Sequence, residues 1–418
     1  MVVIISIQRV TWPGISRVVV VITMASLFPR SLFAALIGLF AVSATTFLPP
    51  AGYSFDDFNA EFQRGYEPGT QQYTLRRNLF EEKVRSILAH NADPTMSWKR
   101  GINQFADMTQ EEFRQSGRLG YDRRLARHLG SKQGLSGNIR PSAWKGDNDP
   151  AMPPSVDWRN KGVISNVKDQ GQCGSCWAFA TTAVIESHVA LATGTLEVLS
   201  PQQLVSCALN PLECGGTGGC GGSIPEVAFE YVQLYGMTTE WMLPYTSYFG
   251  KSDACSLHST QTPAVIEISG YQKLPPNDYH AVMEALVNVG PLAVNVQADV
   301  WSDYHSGVFE GCSNRSDVSI DHVVQLVGYG TDCKDGDYWL VRNSWDATWG
   351  EKGYIRLRRS SKPDCGEDTE PTQGTGCAGG PATQQVCGQC GILFDVSYPL
   401  GAKLRAKSGS VHSDEIQV

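Results

Sequence analysis

The sequence predicts an α+β protein with a helical half, a β half and a separate helical segment in front of both. Helical patterns follow Ser175, strand patterns follow Gly290-Pro291, and all twelve cysteines lie at or after Cys173. Helices first and strands second within one cysteine-rich unit indicate two halves packed on each other. A cleft between two such halves is a favoured place for an active site.

A cysteine-free front part precedes this unit. Arg30 is followed by the apolar run SLFAALIGLFAVSA, which ends in small residues at Ala44. Such a pattern is typical of a signal peptide, and the run is short for a membrane span. We therefore expect a signal peptide or signal-anchor region at residues 1–44, with cleavage near Ala44. Two alternatives stay open because VVVVIT is a second apolar patch: Met24 as the true start, or a longer signal-anchor over residues 1–48.

Residues 53–115 are polar, charged and helical in pattern. Five residues follow each other at spacings of three and four and therefore share one face of a predicted helix: Arg76, Phe80, Lys83, Ile87 and Asn91. Residues 116–150 are rich in Gly, Ser, Arg and Asp without periodicity, which is typical of an exposed linker open to proteolysis. Residues 151–400 are expected to form the main domain, and residues 401–418 a flexible tail.

The main domain begins with helices and ends with strands. Ser175 precedes the long helix CWAFATTAVIESHVALAT, which Gly194 should close. Ser200-Pro201 should begin a second helix, because proline suits the first helical position, and residues 225–236 form a third. Five strand patterns follow: LAVNVQA, HVVQLVGYG, DYWLVRNSW, GYIRLRR and ILFDVSYPL.

Charge and cysteine usage limit the function classes. The 418 residues carry a formal net charge of −8, which argues against a nucleic-acid partner because such a partner favours a basic face. Disulfides need an oxidising compartment, so the clustered cysteines indicate entry into the secretory pathway.

Cys176 is the candidate nucleophile, because it begins the long helix within QGQCGSCW. A thiol at a helix N-terminus lies near the positive end of the helix dipole, which favours the thiolate. The C-x-x-C formed with Cys173 leaves three alternatives: a redox pair, a metal ligand or a structural cysteine. A redox pair would need a βαβ setting, and zinc would need finger spacing that a second pair, Cys387 and Cys390, does not provide. We therefore expect no metal and no cofactor.

Three further residues complete a constellation for cleaving an amide through a covalent intermediate. Such chemistry needs a base, a group that orients the base and donors for the oxyanion. His322 is the candidate base, and Asn343 offers an oxygen that can orient its imidazole, in a bond that Trp345 can shield from water. Gln170, six residues before Cys176, can donate to the oxyanion together with the Cys176 N–H.

Residues 152–400 resemble the papain-like cysteine proteases of the cathepsin family. The stretch from Gln170 to Phe179 matches the family signature around its catalytic cysteine, and the family order Gln, Cys, His, Asn is kept. WGEKGYIRL and the terminal SYP match as well. The resemblance implies a two-domain papain-like fold, with a helical domain and a β-barrel-like domain around an active-site cleft. It also implies four catalytic residues: Gln170, Cys176, His322 and Asn343.

The front part resembles the inhibitory propeptides of the same family. Their helix carries spaced Glu, Arg, Phe, Asn, Ile and Asn, and here Gln72 and Lys83 depart from that pattern. A following G-x-N-x-F-x-D motif is intact from Gly101 to Asp107. The resemblance implies that residues 45–115 inhibit the cleft until the chain is cut close to residue 150.

Three disulfides are implied by the same resemblance: Cys173–Cys220, Cys207–Cys255 and Cys312–Cys390. With Cys176 free, spacing alone leaves five cysteines open, namely Cys214, Cys333, Cys365, Cys377 and Cys387. The odd remainder requires a further free thiol or a pairing outside the family pattern. Two insertions, NPLECGGTGG and the stretch from Cys365 to Cys387, are expected to be surface decoration.

The resemblance also implies the substrate contacts. Gly222 and Ser223 should bind the substrate backbone, with Asp321 and Trp345 next to the catalytic residues. The pocket for P2, the second residue before the scissile bond, should consist of Ile224, Pro225, Asn295, Ile320, Val323 and Asp395. Asp395 would form its floor and pair with arginine, so we expect Leu, Phe or Arg at P2. The alternative is that Asp395 turns to solvent or to a backbone N–H.

The expected function is a cysteine endopeptidase that acts through a thioester and is synthesised as an inactive zymogen. Its partners are expected to be peptide and protein substrates and its own propeptide. We expect a monomer, N-glycosylated at Asn314, in the lysosome, a vacuole or the extracellular space. The alternatives are a non-catalytic papain homologue, an exopeptidase and a disulfide oxidoreductase that uses Cys173 and Cys176. The retained nucleophile and base argue against the first, and no insertion resembles the occluding loop of exopeptidase relatives.

Overall fold

The computed structural model describes residues 2–12, 15–25, 52–120, 138–139, 152–257, 262–312 and 318–405, and only the backbone for 2–12, 15–25 and 138–139. The first 25 residues belong to a unit of their own, in which β1 (Val2–Trp12) pairs antiparallel with β2 (Ile15–Ala25). The predicted signal-peptide run, Ala44, Asn314 and residues 406–418 lie outside the described residues. Among the described helices, none is long and apolar enough to cross a membrane.

The front of the second unit is helical, as the sequence predicts. Its elements are α1 (Phe55–Glu61), α2 (Gln71–Ala92), β3 (Trp98–Arg100) and α3 (Gln110–Gln115). Capping boxes at Ser54 and Thr109 begin α1 and α3, and the Thr70 side chain caps α2. Phe80 and Ile87 are buried on the face of α2 that the spacing predicts.

Three helices form the core of the helical half: α4 (Cys176–Thr193), α5 (Pro201–Cys207) and α6 (Pro225–Tyr235). Residues 176–190 of α4 are all buried, so this helix runs through the interior of the second unit. Gly194 ends it in the left-handed conformation at φ 74°, which glycine adopts without steric cost. Proline occupies the first turn of both α5 and α6, where its missing N–H costs nothing.

The β half contains α7 (Tyr279–Asn288) and most of the strands. Its longer strands are β8 (Leu292–Val296), β9 (Tyr304–Phe309), β10 (His322–Asp332), β11 (Gly336–Arg342), β12 (Tyr354–Arg358) and β15 (Val396–Leu400). Its shorter strands are β4 (Asn138–Ile139), β5 (Val156–Asp157), β6 (Ile266–Glu267), β7 (Gly270–Lys273), β13 (Cys365–Asp368), β14 (Gln384–Cys387) and β16 (Lys403–Leu404).

One mixed sheet organises this half. Its order is β3-β9-β12-β11-β10-β8-β15-β7-β4, with β5 also paired to β10. All five predicted strand patterns coincide with strands of this sheet, which confirms the α+β fold class. Two edge strands, β3 and β4, come from the residues in front of the main domain, so the front part adds to both ends of the sheet.

Two predicted boundaries need correction, that of the linker and that of the C-terminal tail. Residues 116–120, predicted to begin an exposed linker, include the buried residues Arg118 and Leu119, and residues 138–139 pair with β7. The predicted tail also begins too early, because β16 pairs with β6 and Ala402 is buried. Glycine-rich and charged composition indicates a loop, but it does not reveal that a neighbouring surface will cover the segment.

Candidate active site

Cys176 occupies the first position of α4, at the edge of the helical half. Its Sγ accepts a hydrogen bond from the N–H of Val323 at 3.2 Å, which brings the thiol beside the start of β10. The side chain is fully buried. Burial raises the pKa of the Cys176 thiol well above its ordinary value, although the N–H of Val323 acts in the opposite direction.

His322 and Asn343 come together because β10 and β11 are neighbours. Nε2 of His322 lies 2.8 Å from Oδ1 of Asn343, and the same oxygen accepts from the N–H of Ser344 at 2.8 Å. An oxygen fixed in this way selects the tautomer in which Nε2 carries the proton. Nδ1 is then the basic nitrogen, and it has no hydrogen-bond partner in the described part of the chain. Burial lowers the pKa of His322 to about 4, partly offset by Asn343.

Gln170 is held by two residues that the sequence analysis did not identify. Ser344 donates its Oγ hydrogen to Oε1 of Gln170 at 2.6 Å, and the Tyr245 hydroxyl donates to the Gln170 carbonyl at 2.8 Å. The amide nitrogen therefore points the other way, where it donates to the Cys173 carbonyl at 3.0 Å. Ser344 directly follows Asn343, which is the signal that could have indicated its role; Tyr245 has no comparable signal.

Trp345 covers the histidine. Its ring is fully buried, and its centroid lies 5.0 Å from that of the His322 imidazole. Phe105 and Phe113 of the front part approach the same indole edge-on, with centroids 5.8 and 5.4 Å away. The aromatic cover keeps water from the hydrogen bond between His322 and Asn343.

Residues 117–120 fill the cleft directly above the thiol. The N–H of Gly120 donates to the Asp321 carbonyl at 2.8 Å, and the indole N–H of Trp345 donates to the Arg118 carbonyl at 2.9 Å. A Cβ on Gly120 would lie only 2.1 Å from Sγ of Cys176, so only glycine allows the backbone to come this close. This segment excludes any substrate from the thiol.

Ion pairs attach the front part to the β half. Arg114 pairs with the buried Asp299 at 2.7 Å, and Lys83 and Arg100 both lie 3.7 Å from the Asp303 carboxylate. In each pair the front part supplies the cation and the β half supplies the anion. With β3 added to β9, these contacts hold the front part over the cleft.

Comparisons with known proteins agree with this geometry. A family model described as papain family cysteine protease matches residues 152–375, and one described as cathepsin propeptide inhibitor domain matches residues 55–113. The chain is 36% identical to cysteine endopeptidase RepA of Oryza sativa subsp. japonica over 82% of each protein. It is 35% identical to thiol protease SEN102 of Hemerocallis sp. over 81% of this chain and 84% of that one. The chain belongs to the papain family of cysteine proteases.

Solved proforms are also similar to this papain-family chain. The recombinant stem bromelain precursor matches with a TM-score of 0.64 and 31% identity, and digestive procathepsin L 3 of Tenebrio molitor larval midgut with 0.62 and 30%. Each match covers 83% of this chain and 97% of the other. The protein is thus a cysteine-type peptidase, a hydrolase, with a papain-like fold and an intramolecular inhibitory propeptide.

Five disulfides cross-link the protease. The pairs Cys173–Cys220, Cys207–Cys255 and Cys312–Cys390 are those that the family resemblance implies. Two pairs lie outside that pattern, Cys214–Cys377 and Cys365–Cys387, and Cys333 is a free exposed thiol. Because Cys173 is bonded to Cys220, it cannot form a redox pair with Cys176.

No cluster of three or more His, Cys, Asp or Glu suitable for a metal occurs among the described residues.

The residues expected to bind substrate only partly converge. Gly222 and Asp321 both contact Gly120, the residue that lies over the thiol. Asn295 is the register partner of Val323 across β8 and β10. Others of the set, Ile224, Pro225 and Ser223, are buried at the start of α6. Ile320 packs with Val318 and Val386 in an apolar cluster, and its place in the P2 pocket stays a prediction.

Asp395 does not offer a free carboxylate to the P2 pocket. Its Oδ1 lies 2.9 Å from Nζ of Lys273, which also pairs with Oε1 of the buried Glu226 at 2.7 Å. Burial raises the pKa of Asp395, the negative charge of Glu226 raises it further, and Lys273 only partly opposes them. The Asp395 carboxyl lies against Lys273 of β7, a contact that the sequence analysis did not consider, and its assignment to the pocket floor stays a prediction.

Proposed function

We propose that Cys176 and His322 form the nucleophile–base pair of a cysteine endopeptidase, with Asn343 orienting the base and Gln170 stabilising the oxyanion. The single observation that carries this proposal is the line of contacts from Sγ of Cys176, through the backbone next to His322, to the 2.8 Å bond with Asn343. The non-catalytic alternative lacks such support, because every group that the chemistry needs is present.

The zymogen, in which the propeptide covers Cys176, and the mature enzyme differ in the position of the thiol proton. Under the propeptide, burial favours the neutral thiol and the neutral imidazole. Removal of residues 117–120 admits water, and the thiol proton can then move to Nδ1 of His322. The resulting thiolate and imidazolium stabilise each other as opposite charges.

Catalysis then proceeds in two steps. The thiolate adds to the carbonyl carbon of the scissile bond, and the oxyanion accepts hydrogen bonds from Nε2 of Gln170 and the N–H of Cys176. His322 gives its proton to the leaving amine, which departs and leaves a thioester. His322 next takes a proton from water, the hydroxide adds to the thioester, and the acid product and the thiol are released.

Activation and location complete the proposal. Cleavage within residues 116–150, close to Ala151, releases the mature protease from its propeptide. Five disulfides support folding in the secretory pathway, after loss of the signal region at residues 1–44 and with glycosylation at Asn314. The mature enzyme acts on peptides and proteins as a monomer in a lysosome, a vacuole or the extracellular space.

Acid activation of the purified zymogen tests the proposal. Wild-type protein should gain peptidase activity, and N-terminal sequencing should find a start within a few residues of Ala151. Cys176→Ala zymogen should fold, remain inactive and be cut at the same site only when active wild-type enzyme is added. Peptide cleavage by the mature Cys176→Ala protein would refute the assignment of the nucleophile.

A further inference from the structure

A hairpin from the β half reaches across the cleft to the helical half. We call residues 365–387 the strap; it begins with β13 and ends with β14, and the disulfide Cys365–Cys387 joins its two ends. The buried carboxylate of Asp368 accepts a hydrogen bond from the Gln384 side chain at 2.9 Å within it. The strap is thus an ordered hairpin with both ends joined covalently.

A second disulfide clasps the tip of the strap to the glycine-rich insertion NPLECGGTGG of the helical half. Cys377 of the strap is bonded to Cys214 of the insertion. Two backbone hydrogen bonds of 3.0 Å flank this bond, from Gly215 N to Gly376 O and from Ala378 N to Leu212 O. Cys214 is fully buried and Cys377 is 7% exposed, so the clasp is a lasting covalent tie between the two halves.

The clasped strap touches both rims of the cleft next to the thiol. On the β side, a Cβ on Gly374 would lie 2.2 Å from the carbonyl oxygen of Ile320. On the helical side, the Gly376 carbonyl of the strap accepts from the N–H of Gly215, and a Cβ on Gly222 would lie 2.5 Å from the carbonyl of Gly215 and 2.1 Å from that of Gly120. The strap is therefore connected to Gly120, the residue that lies over Cys176, through Gly215 and Gly222 on the helical side.

We propose that the strap closes the amino-terminal side of the cleft beyond the second subsite, so that cleavage is fastest when only two residues precede the scissile bond. The inference rests on the proposed function and on the expectation from the family resemblance that Gly222 and Ser223 bind the substrate backbone. A peptide whose amino terminus is at P2 ends before the strap. A longer chain must displace the strap, and the Cys214–Cys377 bond and its two hydrogen bonds oppose that movement.

The proposed substrate class is thus peptides with a free amino terminus, from which dipeptides are removed in addition to slower internal cleavage. The test uses acid-activated enzyme and reporter peptides with identical residues at P2, P1 and the primed side. The peptides of the series differ only in having zero, one or two additional residues before P2. Every preparation is first titrated with an epoxide inhibitor that labels Cys176, so that kcat/KM refers to active sites.

In wild-type enzyme the first added residue should lower kcat/KM at least about tenfold, a typical size for steric exclusion from a pocket. In the double variant Cys214→Ser/Cys377→Ser the penalty should shrink to about twofold or less, since the strap is no longer clasped. Cys333→Ser, which removes a free exposed thiol, should keep the wild-type profile.

Two results would overturn the inference: a wild-type profile that is flat or rises with length, or a double variant that keeps the full penalty. The first readout needs only wild-type enzyme, so it holds even if the double variant does not fold. Failure of the proposed function is distinguishable, because then neither epoxide labelling of Cys176 nor cleavage of the shortest peptide would occur.

Discussion

Oδ1 of Asn343 lies 2.8 Å from Nε2 of His322 and is held there by the N–H of Ser344. Replacing Asn343 with Ala removes the partner that orients the ring but leaves both reacting groups in place. A hydrogen bond to a charged group contributes about 1.5–3 kcal/mol. We therefore expect kcat/KM to fall about 10- to 100-fold, with residual activity well above that of His322→Ala. Steady-state kinetics on titrated enzyme measures both variants, and equal loss in the two would contradict an orienting role.

Gln170 provides the second test of the site. Gln170→Ala should lower kcat about 10²- to 10³-fold with little change in KM, since the lost donor acts on the oxyanion and not on bound substrate. Ser344→Ala, which removes the hydroxyl that orients the Gln170 amide, should have the same pattern at a smaller size. Gln172→Ala is the matched control and should behave as wild type. A change confined to KM would show that Gln170 binds substrate and does not stabilise the oxyanion.

The zymogen should open as the pH falls. Arg76 lowers the pKa of Glu112 through a side-chain hydrogen bond, and the Ser54 backbone N–H lowers the pKa of Asp57. A carboxyl group with a lowered pKa stabilises the folded propeptide above its unfolded pKa, and this contribution is lost as the pH falls through the folded value. Inhibition should therefore be complete at neutral pH and fade below about pH 5. Activity appearing during incubation at pH 3–7 measures this; activation independent of pH would contradict it.

Asp299 should be a main attachment point of the propeptide. Asp299→Asn removes the charge that pairs with Arg114 at 2.7 Å while keeping the size of the side chain. Loss of a charged hydrogen bond should speed activation at pH 7 by about tenfold or more. Glu81→Gln is the control, because the exposed pair of Glu81 with Arg77 contributes little. Equal activation rates for wild type and Asp299→Asn would exclude this anchor.

The ion pairs of Lys273 change the expected specificity. Because Lys273 already satisfies Asp395, wild-type enzyme should prefer Leu or Phe over Arg at P2. Asp395→Asn should leave the Arg-to-Leu ratio of kcat/KM unchanged within about twofold, since a satisfied carboxylate has no free charge for guanidinium. Matched peptides that differ only at P2 measure the ratio. A strong loss of Arg cleavage in Asp395→Asn would restore the original assignment of Asp395 to the pocket floor.

Much of this arrangement follows from local sequence. The helix that begins at Cys176 and ends at Gly194, and the strand that begins at His322, are indicated by short-range periodicity and capping residues. The Lys273–Asp395 pair depends instead on the register of β7 with β15, which no local pattern contains. The Cys214–Cys377 bond is similar, because spacing cannot choose among five leftover cysteines.

The most direct test of the central claim is the rate at which a thiol-directed epoxide labels Cys176 between pH 4 and 9, read by mass spectrometry. The exposed Cys333 in the same molecule reports general thiol reactivity. Mature enzyme should label Cys176 rapidly even at pH 5, far faster than Cys333, and His322→Ala should abolish this advantage, because the thiolate depends on the imidazolium. At neutral pH the zymogen should leave Cys176 unlabelled, because Gly120 covers the thiol. Mature Cys176 that reacts no faster than Cys333 at pH 5 would contradict the thiolate–imidazolium pair.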